Sequence, residues 1–273
     1  MRYKPLLFAV ACSLIPNLAC RMVVAGNDCS HTAPRQATVD ASGVTRLVLE
    51  AGAGSLEIHG ASGLTEVRAH GTACASREST LDSIQIDAER RGDTVYVTTR
   101  IPDVHYGSAA LDLSLEVPSN LAVEGHDGSG STTIRSVASL DFRDGSGSLE
   151  ISDVAGRARI HDGSGSLTVL GVGGDLEIDD GSGSIEVKGV SGNVLLNDGS
   201  GSMTVANVDG DVTVDDDGSG GIEITHVGGS VLVRNDGSGS IDVRDVQGDF
   251  TVAHDGSGGV DYDDIRGRVS VPR

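Results

Sequence analysis

Eight aspartates, Asp127, Asp144, Asp162, Asp180, Asp198, Asp217, Asp236 and Asp255, each open the tetrapeptide Asp-Gly-Ser-Gly. Stacked at a pitch of about 5 Å, such carboxylates repel by about 1 kcal/mol per neighbouring pair even at water's dielectric. Something must compensate, and two chemistries can. A ladder of cations is one; the other is an Asx-turn, in which each carboxylate accepts a hydrogen bond from the N–H two residues on and so fixes a corner. The turn asks for nothing outside the chain, and the eight residues are read as a turn column. A second set of acids, Glu150, Glu186 and Glu223, alternates with Thr168 and Thr204 at one repeated position, as a polysaccharide-cleaving site could. Sugar clefts also use aromatic platforms. Beyond the first 25 residues the chain has only Tyr96, Tyr106, Phe142, Phe250 and Tyr262. Arg91-Gly92-Asp93 spells an integrin-recognition tripeptide, but Gly-Asp is ordinary turn chemistry. No Ser-His-Asp order, metal-ligand spacing or phosphate-cradling loop stands out from the repeat, so no catalytic, cofactor-binding or metal residues are assigned.

The elements that position these acids follow from their spacing. Successive aspartates are 17, 18, 18, 18, 19, 19 and 19 residues apart, the period of an architecture whose units bury their apolar faces only by stacking on one another. Each unit is itself double. Asp180-Gly-Ser-Gly-Ser-Ile185-Glu-Val187-Lys188 is followed by Gly189-Val190-Ser-Gly192-Asn-Val194-Leu-Leu196-Asn197, and both halves place apolar residues sixth and eighth. That alternation is the period of two of a strand with one buried face. The first strand supplies pairs such as Leu149/Ile151 and Ile185/Val187, the second Ala158/Ile160, Val194/Leu196 and Val231/Leu232/Val233. A further apolar residue, Val137 to Ile265, recurs ahead of the second strand. The fold class is therefore all-β: a parallel β-solenoid of about eight coils of 17–19 residues, stacked about 4.8 Å apart, with an N-terminal β cap; no helix is needed in the rod. Of the 39 Gly, 29 lie after residue 125, and no Pro occurs between Pro118 and Pro272, where one would delete a ladder hydrogen bond. The residue before each Asp-Gly (His126, Arg143, His161, Asp179, Asn197, Asp216, Asn235, His254) is read as taking the turn conformation that Asn, Asp and His tolerate.

Composition narrows the partners. Lys and Arg total 20 against 40 Asp and Glu, a formal charge of −20 with no basic cluster to hold a phosphate backbone, so nucleic acid is excluded. Arg2 and Lys4 precede the apolar stretch Leu6 to Cys20, the order of a secretory signal, and the stretch is shorter than a bilayer span. Residues 1–25 are read as a signal peptide cut after Ala25, with no membrane span. Its removal takes Arg2, Lys4 and Arg21 and no acid, which moves the charge from −20 to −23. A lipoprotein cut before Cys20 is the rival, weakened by Asn17 where a lipobox wants Leu.

Residues 26–125 then form the capping segment and 126–273 the solenoid repeat domain. Within the cap, Ala51 to Ile58 is a relic of the repeat, and Ile84–Ala88 with Val95–Thr99 reads as a hairpin. Cys12 and Cys20 leave with the signal. Cys29 and Cys74 remain in a compartment that permits disulfides, and are expected to pair.

The two-by-nine symmetry resembles the calcium-binding nonapeptide roll, yet the sixth position here is apolar or Thr, never its liganding Asp. Coils such as Gly181-Ser-Gly-Ser-Ile-Glu-Val and the closing Gly267-Arg-Val-Ser-Val-Pro272 resemble the bacterial "putative adhesin" family, over about residues 40–273. That resemblance implies an exported β-solenoid of the periplasm or cell surface, and it offers no catalytic residues to carry over. The functional expectation is a non-enzymatic envelope binding or scaffold protein, adhesin-like, with an unidentified envelope or surface partner and no cofactor. An accessory factor of an envelope-stress system is the alternative, and a polysaccharide-acting β-helix enzyme the third.

Overall fold

The computed structural model describes residues 29–272, so the leader and Cys20 lie outside the described residues. Two twelve-stranded sheets face each other. From Gly130–Val137 to Gly258–Ile265, the first strand of each repeat stacks in parallel register in one sheet; from Ala122–Asp127 to Val269–Ser270 the second strands stack in the other. The protein is an all-β parallel solenoid of about eight turns, as the period requires.

Each repeat buries its alternating residues. Leu149, Ile151, Val154, Ala158 and Ile160 are all at most 1 % exposed, and the same five positions are filled along the rod. Leu232 is the exception to the expected columns: it lies on the outer side, between the buried Val231 and Val233.

Left-handed backbone falls elsewhere than at the residues before Asp-Gly, which are strand residues. It lies one residue ahead of the recurring Val, at Ser136, Asp153, Asn207, His226, Asp245 and Asp264 (φ 52° to 59°), with Gly171 and Gly189 taking it in the intervening coils. The reason is parity. After Leu149 and Ile151 the next inward residue by alternation is 153, but Val154 is the buried one, and the single bulged residue shifts the alternation by one. A similar insertion gives the 19-residue coils, where the ladder slips after Leu196 and accommodates both Asp215 and Asp216.

The cap completes the rod rather than lying across it. Arg46–Glu50 and Leu56–Ala61, the repeat relic, pair in parallel with Ala122–Asp127 and Gly130–Val137. Ala109–Pro118 and the Thr94–Arg100 strand continue the parallel pairing by one strand in each sheet, and beyond them the sheets turn antiparallel through Glu66–Ala75 and His31–Asp40 on one side and through Gln85–Arg91, the hairpin partner of Thr94–Arg100, on the other. Among the described residues one short helix, Glu78–Leu81, lies within the cap; Arg35 donates to the carbonyl of Leu81 (2.7 Å), its last residue, and to that of Ile84 (2.6 Å) just beyond it.

Cys29 and Cys74 form a disulfide with their Cα atoms 5.6 Å apart, tying the segment just ahead of the His31–Asp40 strand to the Glu66–Ala75 strand. Closing a 45-residue loop stabilises by about 4 kcal/mol in the chain-entropy model. Peptide mapping of unreduced protein should recover the two cysteine peptides joined, and reduction should lower the melting temperature. Two free thiols in freshly isolated protein would remove the bridge.

Candidate functional site

The repeat brings all eight aspartates into one register, each opposite its equivalent in the next coil from Asp127 to Asp255. The column is interior. Asp127, Asp144, Asp162, Asp180, Asp198, Asp217 and Asp236 are 1–5 % exposed, while Asp255 in the last coil is half-buried. Sequence alternation carried the signal: Ala158, Ile160 and Asp162 share one parity, so the aspartate is a sixth inward residue of its coil.

The expected corner contact is present in part. The Ser182 N–H donates to Asp180 Oδ1 at 3.3 Å and the Ser200 N–H to Asp198 Oδ1 at 3.1 Å. At the first coil Thr132, itself buried, donates from Oγ1 to Asp127 Oδ2 at 3.0 Å. The positions equivalent to Thr132 are Leu149, Leu167, Ile185, Met203, Ile222 and Ile241, which have no donor to offer. Both carboxylate oxygens of Asp144, Asp162, Asp217 and Asp236, and Oδ2 of Asp180 and Asp198, are buried without a well-aligned donor.

Electrostatics follow from this burial. Loss of water, then the charges of Asp127 and Asp162, push Asp144 up to about 7. Burial first and Asp236 second push Asp217 up to about 7, and burial with Asp162 and Asp198 pushes Asp180 up to about 6. Asp127, Asp162, Asp198 and Asp236 are raised as well, chiefly by burial, with the Gly163 and Ser164 amides partly opposing it at Asp162. Among the described residues no group of three or more His, Cys, Asp or Glu is arranged to hold a metal ion.

Outside the core, Glu150, Thr168, Glu186, Thr204, Glu223, Asp242 and Asp261 form one straight row on the outer face of the first sheet. An exposed serine row, Ser131, Ser148, Ser166, Ser184, Ser202 and Ser240, runs parallel to it. Arg135 pairs with Glu150 at 2.9 Å, and Lys188 and Arg244 pair with Glu186 and Asp242.

A third row escaped sequence reasoning. The side chains of Asp175, Asn193, Asp211, Ser230 and Asp249 each accept the backbone N–H of the equivalent residue in the next coil, at 2.7–3.1 Å. The only hint was a polar residue always standing before the second strand. The Arg91-Gly92-Asp93 tripeptide is a structural turn: Arg91 pairs with Glu89 and lies 5.1 Å over Tyr96, and Asp93 Oδ2 accepts from Thr45 at 3.2 Å.

A family model described as Toastrack DUF4097 matches residues 44–261, from just ahead of the first parallel strand to the last coil. This chain belongs to the Toastrack DUF4097 family. Among solved structures, this Toastrack chain is similar to a "putative cell adhesion protein" from Clostridium sporogenes, at 14 % identity over 88 % of this chain and 99 % of that one, with a TM-score of 0.29. It is also similar to a "putative adhesin" from Parabacteroides merdae, at 13 % identity over 89 % and 97 %, with a TM-score of 0.34. A "putative lipid binding protein" from Parabacteroides distasonis matches at 11 % identity over 88 % and 97 %, with a TM-score of 0.39. No curated protein matches the sequence.

Proposed function

We propose that this Toastrack protein is a non-enzymatic binding or scaffold module that works outside the cytoplasm, in the periplasm or at the cell surface, in an adhesin-like role. The reading is carried by the regular outer face of the first sheet, where the acidic-hydroxyl row and the serine row run side by side with one position per coil. Side chains at an even pitch of about 4.8 Å suit an extended partner that presents hydrogen-bond donors or positive charge along its length. The opposite outer face is less regular, with Arg159, Glu177, Leu195, Thr213 and Leu232 in one row and inserted residues at Asp215 and Asp216. Export is supported by the charged-then-apolar leader and by the Cys29–Cys74 disulfide.

The test is site-specific photo-crosslinking in envelope extracts, with the reactive group at Thr168 or Thr204 on the first face and at Thr213 or Thr251 on the second. One defined species captured from the first face, and lost when Glu186 and Glu223 are both replaced by Lys, is the expected result. Equal capture from both faces, or capture indifferent to the charge reversal, would overturn the assignment.

A further inference from the structure

Ionised carboxylates only accept hydrogen bonds, and the buried aspartates face one another with almost nothing else to accept from. Along the column each meets the aspartates of the coils above and below. From the opposite sheet come Thr132 at Asp127 and apolar residues at the equivalent positions of later coils. The flanking residues Arg143, His161, Asp179, Asp216 and His254 alternate to the outer side, where His161 Nδ1 lies 3.3 Å from Asp179. His126, beside Asp127, is an ionisable group of another kind that acts on the column. Among the described residues no cation pairs with the aspartates from Asp144 to Asp236. A proton between them satisfies two facing carboxylates from within the chain, because it turns one into a donor, as in a carboxylate dyad that cannot ionise twice. Asp144 faces Asp162, Asp217 faces Asp236, and Asp236 faces Asp255, each pair in adjacent coils; the members of the first two pairs act on each other's ionisation, and Asp255 acts on that of Asp236.

We propose that the aspartate column is a proton-held seam: carboxyl groups of neighbouring coils share protons, and the coils loosen when solvent base removes them. Each proton lost leaves two carboxylates face to face in the core with no counter-ion. The sign is set by the raised folded-state values of Asp144, Asp180 and Asp217, which lie above the ordinary 3.8. Stability from these groups is complete below about pH 4 and is lost as pH rises through about 6 to 7. The rod is thus built to tighten in mild acid, against the usual carboxylate behaviour. Among the described residues, loosening should begin at Gly258–Ile265, which closes the first sheet and whose inward Val260, Tyr262 and Ile265 are incompletely covered.

The experiment is thermal melting of the leader-free protein between about pH 5 and about pH 8, on wild type, on the triple variant Asp144→Asn, Asp180→Asn, Asp217→Asn, and on the outward control Asp209→Asn. Wild type should melt about 10 °C or more higher at the acid end. The triple variant, whose amides donate without a proton, should melt higher than wild type at about pH 8 and lose most of the pH slope; the control should keep it. Carbon-13 NMR of wild-type carboxyl groups reads the same protons directly, with the column titrating above the outward aspartates, and stands if the triple variant does not fold. A melting temperature indifferent to pH, a triple variant with the wild-type slope, or column carbons that titrate with the outward ones would overturn the seam.

Discussion

Gly183→Ala is expected to destabilise the protein by about 4 kcal/mol or more, one of the largest losses any single methyl group can cause here. Gly183 is the last residue of its Asp-Gly-Ser-Gly corner and has φ of +151°, a conformation L side chains rarely adopt. Space forbids the methyl as well, since a Cβ there would sit 1.7 Å from the Gly165 carbonyl oxygen of the preceding coil. The obstacle is backbone, so no rotamer change relieves it, and the two coils must separate at a point where the Gly165 N–H donates to the Ser182 carbonyl at 2.9 Å. Gly221→Ala is the control within the rod. Its nearest neighbour would be the Ser240 hydroxyl at 3.7 Å, and serine already stands at that position in most coils, so the cost should stay under about 0.5 kcal/mol. Melting temperatures together with hydrogen exchange in the flanking coils would decide it, and equal behaviour of the two variants would refute the close approach of coil to coil.

Val187→Asp should cost a similar amount, by a different mechanism. Val187 has no exposed surface and stacks between Val169 and Val205, so the new carboxylate is buried among apolar side chains without a donor. A penalty of about 4 kcal/mol is expected, lessened in acid where the group can protonate. Glu186 is one residue away but outward, with its carboxylate paired to Lys188 and 45 % exposed. Glu186→Ala should therefore lose no more than about 0.5 kcal/mol, the ordinary worth of an exposed ion pair. Denaturant midpoints for the pair would check the assigned faces, because a register slipped by one residue exchanges the two outcomes.

The contrast between the native aspartates and Val187→Asp explains why the column was only half legible. In both places a carboxylate is buried, yet the native ones stack on their own kind at a corner where backbone amides reach two of them. Spacing alone located all eight residues and the corner contact at Asp180 and Asp198. Parity within the strand, with Asp162 two residues beyond Ile160, places the carboxylate on the inward side, a position aspartate seldom takes unpaired. The left-handed residues were misplaced for a related reason. Residue type favoured His161 and Asp179, whereas the requirement to return Val154 and Val172 to the core put the bulge at Asp153 and Gly171.

What the sequence determined by itself was everything set by local periodicity: the repeat length, two strands per coil, the inward columns from Leu149/Ile151 onward, and the glycine corners. These follow from alternation and from backbone sterics, which act over a few residues. Tertiary structure alone decided how the cap strands pair, that Thr94–Arg100 and Ala109–Pro118 extend the parallel stack beyond Arg46–Glu50 and Leu56–Ala61, and that Asp175, Asn193 and Asp211 carry hydrogen bonds from coil to coil. It also decided that the aspartates lie in the dry interior, because exclusion of water is a property of the stacked neighbours and the facing sheet, and no window of a few residues contains either of them.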